Sequence, residues 1–240
     1  MRVRLFTTAL LAALPAVALA QDYDAPRNET LNAAGATVLK VDARAGTLRI
    51  TGRPEITEVR VRGTARASSR GLLDEITLEA TRNGAEIQVR AVMPESRSSG
   101  RDSGWNDQAM LDLVLEVPAS LALEIEDTSG DIVVEGVAAK VRIDDNSGGI
   151  RVRDVGDLWI SDSSGEIEIR GVKGSVEIDD DSSGEIEVYD VTGSVHVRRD
   201  SSGSIDVSRV GGDFTVGRDG SGSIDYADIK GKIDIPRRRR

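Results

Sequence analysis

The sequence has no cysteine, a single histidine and only seven aromatic residues in 240 positions. Without cysteine it has no disulfides and no cysteine-linked lipid anchor, so packing alone must stabilise the fold. So few aromatics leave a core of Val, Ile and Leu, and Val and Ile favour strands. Beyond the first twenty residues no apolar run approaches the roughly 20 residues that a membrane-spanning helix needs.

Those first twenty residues, MRVRLFTTALLAALPAVALA, carry Arg2 and Arg4, an apolar run from Leu5, and Ala18 and Ala20 at the spacing of an A-x-A cleavage site. They read as a secretory signal peptide cut before Gln21. Removing them leaves 29 basic side chains against 41 acidic ones, a net charge of −12. A surface of that sign repels phosphates and argues against nucleic acid as a partner.

The second half of the chain repeats itself. The phrase D-x-S-G ends at Gly130, Gly148, Gly165, Gly184, Gly203 and Gly222, in steps of 17 to 19 residues. A fixed period of this size points to a repeat architecture. Five positions are apolar in every unit; in the fourth they are Ile186, Val188, Val191, Val195 and Val197. Each unit therefore holds two short period-two strands joined by turns. Strands this short need neighbours, and stacking successive units about 4.8 Å apart sets like residues on like. The expected fold is all-β: a parallel β-solenoid with coils of 17–19 residues. An antiparallel sandwich is the rival, but it does not require identical corners at one period. Gly156, Gly174, Gly193, Gly212 and Gly231 mark a second corner, where positive φ or close backbone approach is expected.

The implied organisation is a signal peptide over 1–20, a flexible leader over 21–35 and irregular N-terminal β coils over 36–127. Six regular repeats follow over 128–235, then a basic tail over 236–240. Stretches such as GTLRITG (46–52) and ITLEATRNGAEIQVRAV (76–92) alternate as strands do, whereas the Ser- and Gly-rich segment 94–108 reads as a mobile loop.

The order of export signal, irregular strands, LEVPASLALEIEDTSGDIVVEG and tandem S-G-[DE]-I-x-V units is similar to the bacterial envelope proteins grouped as putative adhesins of the β-strand-repeat type. The likeness spans roughly residues 36–235. It implies the fold and a non-catalytic, adhesin-like role in the periplasm, on the cell surface or outside the cell. It supplies no catalytic or ligand-binding residues.

Three other chemistries can be weighed on the residues. Polysaccharide-active β-helix enzymes use clustered carboxylates, but D-x-S-G recurs six times where a nucleophile would be singular. The one histidine, His196, falls at an outward slot. DNSGG (145–149) has no His and Asp partners that would make it a protease site, and the phrase reads as an Asp turn closed by Gly. Calcium is the better alternative cofactor. An outer column of Glu168, Glu187, Asp206 and Asp225 stacks like charges, and calcium takes six to eight oxygens from such sources. Arg198 and Arg199, one unit after Asp179 and Asp180, offer ion pairs instead. Trp159, outward between Leu158 and Ile160, and Trp105 in the polar loop are candidate contacts for an envelope protein or glycan. Arg237, Arg238, Arg239 and Arg240 follow Pro236 at the open end of the last unit. There they either block edge-to-edge stacking or contact an anionic membrane surface.

Overall fold

The computed structural model describes residues 23–94 and 108–236. Eight strands precede the regular repeats: β1 (Tyr23–Asn32), β2 (Val38–Ala45), β3 (Leu48–Arg53), β4 (Glu58–Ala67), β5 (Thr77–Asn83), β6 (Glu86–Val92), β7 (Ala109–Pro118) and β8 (Ala122–Ser129). A short helix α1 (Arg70–Glu75) lies between β4 and β5. Each repeat then gives two strands. They are β9 (Ile132–Glu135) and β10 (Val141–Asp144), β11 (Ile150–Arg153) and β12 (Leu158–Ser161), β13 (Ile167–Val172) and β14 (Val176–Asp180). The last three repeats give β15 (Ile186–Val191) and β16 (Val195–Asp200), β17 (Ile205–Val210) and β18 (Phe214–Asp219), β19 (Ile224–Ile229) and β20 (Ile233–Asp234).

The protein is all-β, with long runs of parallel strands in two open ten-stranded sheets. Their orders are β1-β4-β7-β3-β9-β11-β13-β15-β17-β19 and β20-β18-β16-β14-β12-β10-β8-β2-β6-β5. Consecutive repeat strands fall alternately in the two sheets, and each pairs in parallel with the strand two places on. Like slots meet like: Ile150 pairs with Ile132 and Ile167, and Ile186 with Ile167 and Ile205. All five apolar slots of each of the first five repeats are buried. In the sixth, Tyr226 and Ile233 are 45% and 42% exposed, because no further repeat covers them among the described residues.

The corner that ends in Gly is built so that only Gly fits. Gly184 has φ 150°, and a Cβ there would lie 1.6 Å from the carbonyl oxygen of Gly165 in the unit before. Its N–H donates to the Ser202 carbonyl of the unit after at 3.2 Å. At the second corner the close approach is found but the positive φ is displaced. A Cβ on Gly174 would meet Asp157 Oδ1 at 2.0 Å, while positive φ falls at Asp154, Gly171, Asp190, Arg209 and Asp228.

The N-terminal third departs from the sequence reading. Residues 23–32, expected as part of a flexible leader, form β1, antiparallel to β4 in full register from Tyr23↔Ala67 to Asn32↔Glu58. Pro26 is accommodated because β1 is an edge strand. Arg27 ties the strand down by donating to the carbonyls of Ile76 at 2.8 Å and Leu73 at 3.0 Å. Within the expected irregular coils β2 pairs in parallel with β6 and β3 with β7, while β4 with β7 and β5 with β6 are antiparallel. With α1, capped by Ser69 accepting from Leu72 N–H, and with β1 packed on β5, they close this end of the stack. β2 and β3 carry the parallel ladder on from the repeats, stacking directly on β8 and β9. There Gly46 plays the corner glycine, its N–H donating to Ser129 O at 3.2 Å. The signal peptide reading falls outside the described residues.

The register has a direct test. Val191→Asp places a carboxylate among fully buried neighbours and is expected to lose several kcal/mol, whereas the outward Glu187→Gln is expected to change stability by less than about 0.5 kcal/mol. Comparison of urea midpoints decides it, and similar midpoints would exclude the register.

Candidate functional site

The outward slots of the first sheet line up as strictly as the inward ones. Pairing sets Arg62 beside Val114, Val114 beside Arg49, Arg49 beside Val133 and Val133 beside Arg151. The row continues through Glu168, Glu187 and Asp206 to Asp225. It is therefore basic and apolar at one end and acidic at the other. Val114 is 40% exposed, one of three large apolar side chains left so open among the described residues. Arg49, between Val114 and Val133, has no ion-pair partner among the described residues, and a shallow cavity of about 360 Å³ opens at this place. Arg49, Val114, Val133, Arg151, Asp131 and Glu168 are among its walls.

The four carboxylates expected as a column are in register, but they do not behave alike. Glu168 accepts from Arg151 at 2.5 Å, Arg170 at 2.7 Å and Arg153 at 3.0 Å. These guanidiniums, Arg151 foremost, hold its carboxyl down to about 2. A carboxylate so pinned neither gives nor takes a proton near neutrality. Glu187 lies 3.8 Å from Arg170. Asp206 and Asp225 have no cation partner, and no three acidic or histidine side chains gather as a metal set, both statements holding among the described residues.

The second sheet carries Trp159, half-buried, with Arg142 and Glu177 as its neighbours in register, as expected from the sequence. The Arg142 guanidinium stacks over the indole, 3.3 Å from the ring centroid, and also donates to Asp144 at 2.8 Å. The ring's open side is thus taken by a cation of the same molecule. His196 pairs with Thr215 Oγ1 at 2.5 Å. Arg198 pairs with Asp179, and Arg199 with Asp180 at 2.9 Å, the ion pairs expected from the one-unit offset. Trp105 and Arg237 to Arg240 lie outside the described residues, as do residues 95–107 of the segment expected as a mobile loop.

The Asp of D-x-S-G serves as a turn residue. Asp145, Asp162 and Asp200 accept from the backbone N–H two residues on at 3.3, 3.1 and 3.1 Å. What sequence reasoning missed is that these side chains point inward: Asp127, Asp145, Asp162, Asp181 and Asp200 are between 0 and 6% exposed. The signal was present. Asp127, Asp145 and Asp162 stand two residues after the apolar slots Ile125, Ile143 and Ile160, the same parity as the core. From Asp181 onward one more residue intervenes, absorbed where the register shifts between Ile160 and Ser161.

No family model matches the chain, and no curated protein does. Among solved structures the chain is similar to a putative cell adhesion protein from Clostridium sporogenes at 13% identity and TM-score 0.36, covering 89% of this chain and 99% of that one. A putative lipid binding protein from Parabacteroides distasonis matches at 13% identity and TM-score 0.39, over 88% and 97%. A putative adhesin from Bacteroides fragilis matches at 12% identity and TM-score 0.35, again over 88% and 97%.

Glu168→Gln is expected to lower stability at neutral pH by about 1–2 kcal/mol, discounted for solvent, since three arginines lose their shared acceptor. The carboxyl is held below its ordinary 4.5, so its contribution is present above 4.5 and lost as pH falls toward about 2. Acid titration of the two proteins measures this: the wild type should lose more stability across that window than the variant, and equal losses would remove the Glu168 contribution.

Proposed function

We propose that the two parallel strand runs form a β-solenoid exported to the periplasm or cell surface, where it serves without catalysis as an adhesin-like interaction or structural module. The observation that carries this reading is the outward row of the first sheet. Its one strongly perturbed outward acid, Glu168, is locked by three arginines, so the face lacks a proton-transfer group there and offers instead a long rigid surface. The contact region is the basic and apolar end of that row, where Arg49, Val114 and Val133 adjoin the cavity. Trp159 is the lesser candidate, because Arg142 already covers its ring. A protein or glycan of the envelope, presenting anionic and apolar groups together, fits the Arg49 end. The arginine tail follows the exposed last rung in sequence and would either keep copies from stacking there or hold the chain at an anionic surface.

The test is capture of a partner from an envelope extract by the immobilised full chain. Arg49→Glu is expected to abolish capture with an unchanged melting temperature, and Trp159→Ala to retain it. Capture lost only in Trp159→Ala would move the site to the second sheet, and equal capture by both variants would remove the Arg49 end from the reading.

Calcium binding by the column Glu168, Glu187, Asp206 and Asp225 is the alternative reading and has its own check. Too few oxygens converge for six- to eight-fold coordination, so millimolar calcium is expected to leave the melting temperature unchanged. A rise of several degrees that Asp206→Asn with Asp225→Asn removes would establish the calcium reading.

A further inference from the structure

The inward aspartates pose a problem that the surface readings leave untouched. One carboxyl per repeat lies inside the stack, and each keeps at least one oxygen without a hydrogen-bond partner. For Asp127, Asp145, Asp162 and Asp200 it is Oδ2; for Asp181, 0% exposed, it is both oxygens. The corner's glycine N–H groups cannot serve them, since those of Gly130, Gly148, Gly165 and Gly184 donate to serine carbonyls of the next unit at 3.0 to 3.2 Å.

Nor do cations. Around Asp127 stand Asp42 and Arg44 from β2 and Glu126 from β8, and Arg44 is bound to Asp42 at 2.8 Å. Arg90 from β6 also goes to Asp42, at 3.3 Å. Asp145 faces Asp162, Asp131 and, from β10, Asp144, which holds Arg142 at 2.8 Å. Asp181 faces Asp162, Asp200 and Asp180, and Asp180 holds Arg199 at 2.9 Å. Asp200 pairs in register with Asp219, beside Arg199 over Arg218. Arg44, Arg90, Arg142 and Arg199 are each committed to another carboxylate, and Arg218 makes no ion pair with the column among the described residues. Adjacent buried anions without partners are among the costliest arrangements in a protein.

We propose that this inward aspartate column is a proton-binding site: its carboxyls are carried as neutral acids when the surroundings are mildly acidic and give up protons, against the packing, as the pH rises. Burial first, and neighbouring aspartates after it, lift Asp127 and Asp181 to about 7 and Asp145 and Asp200 to about 6, with Asp162 raised by burial as well. Because the rungs interact, the protons leave over a broad range rather than in one step. A metal answers the geometry less well. Neighbouring strands in a sheet stand about 4.8 Å apart, so the column adds one carboxyl per rung, and no metal set of three gathers among the described residues.

The sign follows from linkage. Each carboxyl has a folded pKa above the 3.8 of the unfolded chain, so its contribution is fully present below about pH 4 and is lost as pH rises through 6 to 7. The protein should therefore be more stable near pH 5 than near pH 8, the reverse of ordinary acid denaturation and of the Glu168 effect at lower pH.

The experiment is urea unfolding of the full chain at about pH 5 and about pH 8, beside infrared absorption of protonated carboxyls in the native state near pH 6. The wild type is expected to show the higher midpoint at the lower pH and a protonated-carboxyl band. Asp181→Asn, which keeps the shape and removes the charge, is expected to raise the midpoint at the higher pH, narrow the difference between the two pH values and weaken the band. Three results would overturn the proposal. One is a wild-type midpoint that rises with pH. The second is the absence of the band, which is read on the wild type alone and so does not depend on the variant's folding. The third is a calcium-induced rise in melting temperature at the higher pH that Asp181→Asn abolishes, which would make the column a cation site.

Discussion

Each repeat must set a glycine on the glycine of the repeat before it. At Gly148, Gly165, Gly184, Gly203 and Gly222 an added Cβ would come within 1.5 to 1.9 Å of the preceding glycine's carbonyl oxygen, and φ at these positions runs from 131 to 150°. Backbone thus touches backbone, closer than any side chain permits. That approach brings the glycine N–H of one unit to the serine carbonyl of the next, and it fixes where the following strand begins. Register is then no longer free. Ile after Ser-Gly lands on Ile after Ser-Gly, and a slip of one residue would turn the whole apolar set outward.

The same constraint accounts for both the quiet and the stressed parts of the molecule. Outward slots inherit the alignment, so charges of adjacent units meet as directly as core residues do. The chain answers with arginine opposite carboxylate: Arg151 with Glu168, Arg198 with Asp179, Arg209 with Asp190. Inside the corner no such answer exists. The aspartate that shapes the turn through its Oδ1 brings a second oxygen into a place where the stacked backbones leave it nothing to accept from. At Asp145, Asp162 and Asp200 turn chemistry and burial are in conflict at the same residue.

Much of this was legible in the sequence because the repeat is short and strict. The apolar slots, the glycine corner and the ion pairs at Asp179 and Asp180 follow from period and parity. The N-terminal third was less legible for a physical reason. β1, with Arg27, Asn28, Glu29 and Thr30 in a row, has little alternation, and it is held by pairing to β4 and by the reach of Arg27 to α1 rather than by its own burial. β2 and β3 stack on β8 and β9 although β4 to β7 intervene along the chain, which no local period records. The helix had a visible signal in Ser69 ahead of Leu72 and Leu73. At the candidate site the row of outward slots could be written down from the repeats alone. Its basic half could not, because Arg62, Val114 and Arg49 reach it through nonlocal pairing.

The glycine stack is the claim on which the rest stands, and Gly184→Ala tests it most directly. Gly71, in α1 with nothing within 4 Å of an added Cβ, is the control. Measured by urea unfolding of the full chain, Gly184→Ala should lose more than about 3 kcal/mol, since both φ and the Gly165 carbonyl forbid the methyl, while Gly71→Ala should gain about 0.5–1 kcal/mol as an ordinary helix substitution. A Gly184→Ala protein as stable as the wild type would mean that backbone does not stack on backbone at this corner, and the account would fail with it.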